Sequence, residues 1–326
     1  MIVSVELARD STKESTMHSS VSVIRSALAA CGLASALLAS NVSVAEPLAW
    51  KFAPGLTNRY RMTQDTRLTI NSGAAGDAKT HQQLTIDISW TVEKVNDDGS
   101  AVLKQQIDRM RIKAETGESQ VAEIDSASKE NPQGQAATLA PLLKAITSQP
   151  FQVTMTPRGE IKNVEVPAAI VEALKNQPGA AQMGELATEE GFKKLVGQAS
   201  FVLPEKMEPG VQWTAKTESQ LPAVGTQTAI TTYRYEGPKE IDGKLMEVFS
   251  AKLEVKFAGG QIPIEIANQE SAGEIHFNRE AGRLESSVIK QVTKLKLTVS
   301  DQTINQTIDQ NVNMKWVPEN DSEERE

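Results

Sequence analysis

Cysteine occurs once in the 326 residues, histidine three times, and aromatic residues make up only 4% of the chain. One cysteine supports neither a disulfide framework nor a paired-thiolate metal site. The histidines show no His-Glu-x-x-His or paired spacing, which removes the common zinc patterns. A basic surplus is also missing. Against 34 Lys and Arg stand 42 Asp and Glu, a net charge of −8, so there is no electrostatic footprint for nucleic acid or an anionic membrane. After residue 50 no apolar run approaches the roughly 20 residues that a membrane-spanning helix needs, and no transmembrane segment is expected in the mature chain. Gly (20) and Pro (14) are ordinary in number, which excludes collagen-like and low-complexity readings. What remains, 39% hydrophobic and 23% charged, is globular composition.

Residues 1–45 read as an export signal. From Met17 a short basic region ends at Arg25, an apolar region follows, and Ser43-Val44-Ala45 places small residues where signal peptidase requires them. Cleavage is expected after Ala45, with Met17 as the candidate start. Leu28-Ala29-Ala30-Cys31 matches a lipobox, but only five residues separate Arg25 from Cys31 and the apolar run continues through Leu33, Leu37 and Leu38. Cys31 is therefore read as a small apolar residue of the signal. The mature protein would be cysteine-free, periplasmic or secreted, and stable without disulfides.

The dominant periodicity beyond the signal is two. Leu84, Ile86, Ile88, Trp90 and Val92 alternate with polar residues, as do Phe249, Ala251, Leu253, Val255 and Phe257, then Leu295, Leu297 and Val299, then Val312, Met314 and Trp316. Strands with one wet face belong to antiparallel sheets, and Asp98-Gly99 and Asp242-Gly243 supply hairpin turns. Helical spacing is confined to the middle, near 139–148 (Leu139, Leu142, Leu143, Ile146), 167–175 (Ile170, Val171, Leu174) and 188–199 (Phe192, Leu195, Val196). Pro141 fits the first turn of the first helix. The fold expected is mostly β: two connected, curved antiparallel sheets with short inserted helices covering an open apolar face. In outline, 46–166 is a first β half with a short helix, 167–202 a helical insert, 203–318 a second β half and 319–326 an acidic disordered tail. Thr116 to Gln135 and Asn176 to Leu186 read as loops. Pro-Gly, Asp-Gly and strand motifs recur in the same order in both halves, but 44 residues separate Gly55 from Gly99 and 33 separate Gly210 from Gly243. Internal duplication and coincidence both fit.

Several motifs together resemble a family of exported bacterial proteins known only as a domain of unknown function. They are Leu48-Ala49-Trp50-Lys51-Phe52-Ala53-Pro54-Gly55, Trp90 to Val95 with Asp98-Gly99-Ser100-Ala101, Ile124-Asp125-Ser126, Pro157-Arg158-Gly159-Glu160, and Leu203-Pro204 with Pro209-Gly210-Val211-Gln212-Trp213. The resemblance implies export and a β-rich fold, and it brings no catalytic residues with it.

The residues able to carry chemistry each have an ordinary structural use. His81 lies in a polar stretch, and His276 lies on the strand face opposite Ile275 and Phe277; both read as surface residues. Ser126 to Lys129 and Ser287 to Lys290 have Ser-x-x-Lys spacing without the helical turn that would join them. Asp97-Asp98 suits a turn and Glu189-Glu190 a helix start. Arg109, Arg111 and Lys113 line one strand face, for solvent or for an anion. Gly259-Gly260 lacks the context of a phosphate loop. No catalytic, cofactor-binding or metal-binding residue is assigned. The expected function is that of a non-catalytic exported envelope protein binding a protein partner or an apolar small molecule. The competing class is a periplasmic or secreted hydrolase whose groups meet only in space. The apolar strand faces serve either as a packed core or as the wall of a cavity beneath the helices.

Overall fold

The computed structural model describes residues 47–72, 76–117, 119–129, 135–176, 188–198, 201–221, 224–299 and 302–319. The export signal with Met17 and Cys31, most of the loop after Asn176, the side chains of Leu139 and Leu195, and the tail beyond Glu319 lie outside the described residues. In chain order the elements are β1 (Thr57–Asn71), β2 (Asp77–Val95), β3 (Ala101–Thr116), β4 (Ser119–Asp125), α1 (Gln135–Ser148), β5 (Phe151–Met155), β6 (Ile161–Glu165), α2 (Ala168–Lys175) and α3 (Glu189–Gln198). Six long strands follow: β7 (Gln212–Leu221), β8 (Gly225–Ile241), β9 (Lys244–Gly259), β10 (Ile264–Asn278), β11 (Arg283–Val299) and β12 (Gln302–Val317).

The protein is mostly β, as the alternation implies. Its strands form a single antiparallel sheet of twelve, ordered β6-β5-β3-β2-β1-β12-β11-β10-β9-β8-β7, with β4 pairing β3. The two expected sheets are joined because β1 pairs with β12 from Arg59 opposite Val317 to Asn71 opposite Asn305. The strand order gives no sign of the suggested duplication. Part of the expected loop after Thr116 is β4, whose Ile124 lies opposite Ile112. At the Asp242-Gly243 hairpin both residues have positive φ, which is what a two-residue turn matching strand twist requires.

The sheet curls toward one face. Trp90 of β2 and Phe277 of β10 are four strand steps apart, about 19 Å in a flat sheet, yet each ring centroid lies within 6.0 Å of the Trp50 ring. Trp50 sits in a segment crossing the end of the sheet, where its N–H donates to Pro157 O and the Lys51 N–H donates to Gly282 O. A second crossing segment carries Phe201 and Leu203. The Leu203 N–H donates to Arg158 O, Arg158 donates back to Leu203 O, and the Trp50 and Trp213 indoles donate to the carbonyls of Phe201 and Val202. These two segments plug one end of the curled sheet, here called the base. All four tryptophans and all three tyrosines of the chain belong to the core there or pack against it.

The helices pack at the β3–β6 end of the sheet, beside the base, and Ile161 touches both cores. Leu142, Ile170, Leu174 and Phe192 pack with Phe151, Val153 and Val164, and Leu143 packs on Ile124 against Met110 and Ile112. Thr188 Oγ1 accepts from the Gly191 N–H, capping α3 where the sequence places its start. The helix α1 begins at Gln135, earlier than the spacing implies, so Pro141 lies inside it with its ring exposed to solvent. Ala136 and Ala137 favour helix strongly enough to extend it past the missing N–H.

Candidate functional site

The register assigns every strand residue to one of two faces, because side chains alternate and pairing keeps neighbours on the same side. Tyr60, Met62, Gln64, Thr66, Leu68 and Ile70 of β1 share the inner, curled-in face with Thr80, Gln82, Leu84, Ile86 and Ile88 of β2 and with Gln306, Ile308, Gln310, Val312 and Met314 of β12. The face continues through Ile289, Gln291, Thr293, Leu295 and Leu297 of β11 and Leu253, Val255 and Phe257 of β9. Above the base the inner face of β1, β2, β3 and β7 to β12 carries no Asp, Glu, His, Lys or Arg among the described strand residues; at the base end Glu247, Glu240 opposite Leu245, and Arg283 over the Trp316 ring with its partner Glu285 are the exceptions. The outer face carries charge throughout: Arg59, Arg61, Asp65 and Arg67 on β1 and Lys290, Lys294 and Lys296 on β11.

Away from the base and the helices many inner side chains are half-buried, including Met62, Leu68, Ile70, Leu84, Ile308 and Val312, while Val255, Gln291, Thr293 and Leu295 are buried. The outcome is a trough: apolar residues mixed with Gln, Thr and Ser, without charge, shielded by the sheet's curvature. Beyond the pair Gly273 and Ala251, the β9–β10 ladder passes from main chain to side chains. Ser271 Oγ and Gln269 Oε1 accept from the N–H groups of Leu253 and Val255 at 2.8 Å, so the polar residues of this wall keep parted strands satisfied.

Glu247 is paired where it stands. It is 2% exposed and accepts from the Tyr235 hydroxyl and, at 2.5 Å, from Arg279 Nε. Burial, followed by the Glu247 carboxylate, pushes the Tyr235 phenol well above its ordinary value.

At the floor of the trough, where it meets the base, three donors have no partner within the chain: Tyr60 Oη, Trp90 Nε1 and Arg283 Nε. Tyr60 is 1% exposed and Trp90 7%, their ring centroids are 5.0 Å apart, and Tyr60 lies opposite Trp316 in the β1–β12 register. Arg283 Cζ stands 3.5 Å over the Trp316 ring, while its Nη2 donates to Glu285 at 3.4 Å. An unpaired buried donor costs on the order of 1–3 kcal/mol. Burial pushes the Tyr60 phenol up, so it stands as a neutral O–H donor. Two further buried atoms without a partner, Arg111 Nε and Asn311 Oδ1, belong to outer-face residues.

The residues singled out in the sequence are dispersed over other surfaces. On the outer face Arg109 forks onto Asp125, Arg111 meets Asp87 at 2.8 Å, and Lys113 meets Glu115 at 2.8 Å. The row of cations therefore has its own carboxylates. His81 Nε2 lies 2.8 Å from Asp65 Oδ2. Asp98 holds the Ser100 N–H and Lys162, and Lys193 lies 3.0 Å from Glu189 and 3.5 Å from Glu190. Ser287 is on the inner face and Lys290 on the outer, and Ser126 Oγ accepts from the Met110 N–H. Gly259 closes β9 opposite Gly225.

One arrangement was invisible in the sequence. His276 Nδ1 lies 3.0 Å from Ser286 Oγ, and its Nε2 lies 2.6 Å from Glu274 Oε1. Serine and histidine meet only through the β10–β11 register, beside a bulge. This Ser-His-Glu chain crosses the outer face, where the surrounding main chain is engaged in the β10–β11 and β11–β12 ladders. It has nucleophile, base and orienting carboxylate in sequence, without a cleft or preorganised donors for an oxyanion among the described residues. The unpaired donors were missed because pairing is a tertiary property. The available signal was the scarcity of tyrosine and tryptophan combined with their placement at strand ends.

No curated protein matches the sequence. Among solved structures the chain is similar to lipovitellin, in a structure described as lipid–protein interactions in lipovitellin, with 11% identity, a TM-score of 0.46, and 82% of this chain and 26% of that chain covered. The chain thus spans about a quarter of lipovitellin's length. It is similar to DynF from the dynemicin biosynthesis pathway of Micromonospora chersina (8% identity, TM-score 0.23, 86% and 90% covered). It is also similar to an outer membrane channel from Pseudomonas putida F1 (9%, 0.21, 84% and 100%). A family model matches residues 98–282, from the Asp98-Gly99 turn to the Gly282 turn that receives Lys51, and the chain belongs to that family of unknown function, DUF6263.

Proposed function

We propose that this protein is a non-catalytic, exported binding protein whose trough receives an elongated apolar molecule. The observation that carries the reading is the segregation of charge. Above the base, over nine long strands, one face carries no charged residue and the other is ionic, although a sheet with both faces in water gains nothing from keeping charge off one of them. Half-buried Met, Leu, Ile and Val offer transfer free energy to an alkyl chain at roughly 25 cal/mol per Å2 covered. The Gln, Thr and Ser among them keep the empty trough wettable. The signal at 1–45 supports export as the route.

The test is native mass spectrometry of the full chain purified from an expressing cell, followed by extraction and titration with a neutral fluorescent amine such as N-phenyl-naphthylamine. Saturable, one-to-one fluorescence enhancement supports the reading, and its absence rejects it. A hydrolase is the second reading, and the Ser286–His276–Glu274 chain is what favours it. Among the described residues no cleft adjoins it, and we therefore keep it as the second reading.

A further inference from the structure

Resting on the trough reading, we propose that the trough takes a single-chain amphiphile with an anionic head, a long-chain carboxylate. The head would be received at the floor by Tyr60, Trp90 and Arg283, and the chain would run up β1 and β12.

Three donors without an acceptor, gathered around one aromatic floor, define the missing partner: a group that accepts several hydrogen bonds and donates none. Two other indoles at the base show what this core does with such groups. Trp50 and Trp213 donate to the carbonyls of Phe201 and Val202 at 3.2 and 3.1 Å, whereas the buried indole N–H of Trp90 has no such partner. Charge agrees with hydrogen bonding. Arg283 Cζ lies 3.5 Å over the Trp316 ring with Nε unpaired, while the carboxylate of Glu285 takes only Nη2, and at 3.4 Å. A guanidinium with an unpaired Nε beside a phenol and an indole matches a carboxylate better than a neutral or cationic head. Position agrees as well. Tyr60 is the first inner residue of β1 above the plug, and Met62, Gln64, Thr66, Leu68 and Ile70 continue from it in one line. A head at Tyr60 therefore leaves its alkyl chain facing a strip without charge.

The experiment is calorimetric titration of the full, delipidated chain with dodecanoate and with dodecyltrimethylammonium, both below their micellar concentrations. The tails are equal and only the heads differ. Dodecanoate is expected to bind one to one and at least tenfold more tightly than the cation. Y60F and W90F, which remove one donor each and keep a ring, are expected to weaken dodecanoate five- to tenfold and leave the cation unchanged. Equal affinity for the two heads, or dodecanoate affinity unchanged in both variants, overturns the head subsite while the trough stands; water alone would then satisfy these donors. Binding of neither amphiphile overturns the trough and the subsite together. Should Y60F fail to fold, as its near-ultraviolet circular dichroism would show, W90F and the comparison of heads on the unaltered chain still decide.

Discussion

A Cβ on Gly159 would sit 2.3 Å from the carbonyl oxygen of Phe201 and 2.7 Å from Trp50 Nε1. The φ of +95° at this position already disfavours any other residue. The turn after β5 and the crossing segment at Phe201 thus interlock through a contact that only glycine allows, and G159A must both strain the turn and part the plug. A loss of about 2–4 kcal/mol is expected. At Gly243, where φ is +72° and nothing lies within 4 Å, alanine should cost about 1 kcal/mol. Urea midpoints compared at constant m decide; equal losses would mean that the plug adds no stability.

Lysine placed at Val312, on the inner face opposite Gln64 and Ile289, is expected to weaken N-phenyl-naphthylamine binding tenfold or more without a change of fold. Lysine at Thr307, on the outer face opposite Thr69, should bind as the unaltered chain does. Fluorescence titration with far-ultraviolet circular dichroism checks both, and equal effects would remove the distinction between the faces.

Asp125 is held below the usual carboxylate range by the Arg109 guanidinium above all, which outweighs the opposing effect of burial, with the Ala127 N–H adding a smaller lowering. A depressed carboxylate contributes stability that is complete above its unfolded value near 4 and is lost as pH falls through the folded value. D125N should therefore cost about 1 kcal/mol at neutral pH and progressively less below pH 4. Thermal melts of both chains between pH 7 and 3 should converge at the acid end; a constant gap would assign the loss to packing.

If the Ser286–His276–Glu274 chain is structural, a fluorophosphonate probe should leave Ser286 unlabelled. S286A should also match the unaltered chain on panels of esters, glycosides and peptides. Turnover that S286A abolishes would reverse the order of the two functional readings.

N-terminal sequencing of the exported protein should begin at Glu46, and reducing agent should leave its melting temperature unchanged. A lipid on Cys31 would reject both the cleavage site and a soluble mature form.

Much of the architecture was legible because it is local. Alternation marks β2, β9, β11 and β12, and Asp242-Gly243 marks a hairpin. The face holding Ile275 and Phe277 is buried, with His276 opposite, as the spacing implies. The joining of two sheets into one was not legible, since it depends on β1 finding β12 across most of the chain. Lengths of β1 and β12 say nothing of partner choice. β4 escaped notice because its seven residues hold too few alternations to rise above a polar surround. The trough could have been read, because the absence of charge at every second residue of 60–70 and 302–316 is written in the sequence. Its floor could not, since whether an indole or phenol has a partner depends on segments at Trp50 and Phe201, 151 residues apart.

The pairing of β1 with β12 also sets when this chain can fold. Hairpins β1–β2–β3 and β10–β11–β12 need only their own residues, whereas the ladder between them waits for position 317. Contacts of such sequence separation carry a large loop-closure entropy and place the protein among slow, high-contact-order folders. Trimming the carboxyl-terminal end back to residue 300 would accordingly remove a strand from the middle of the sheet, leaving β1 and β11 as two raw edges open to pairing with other chains.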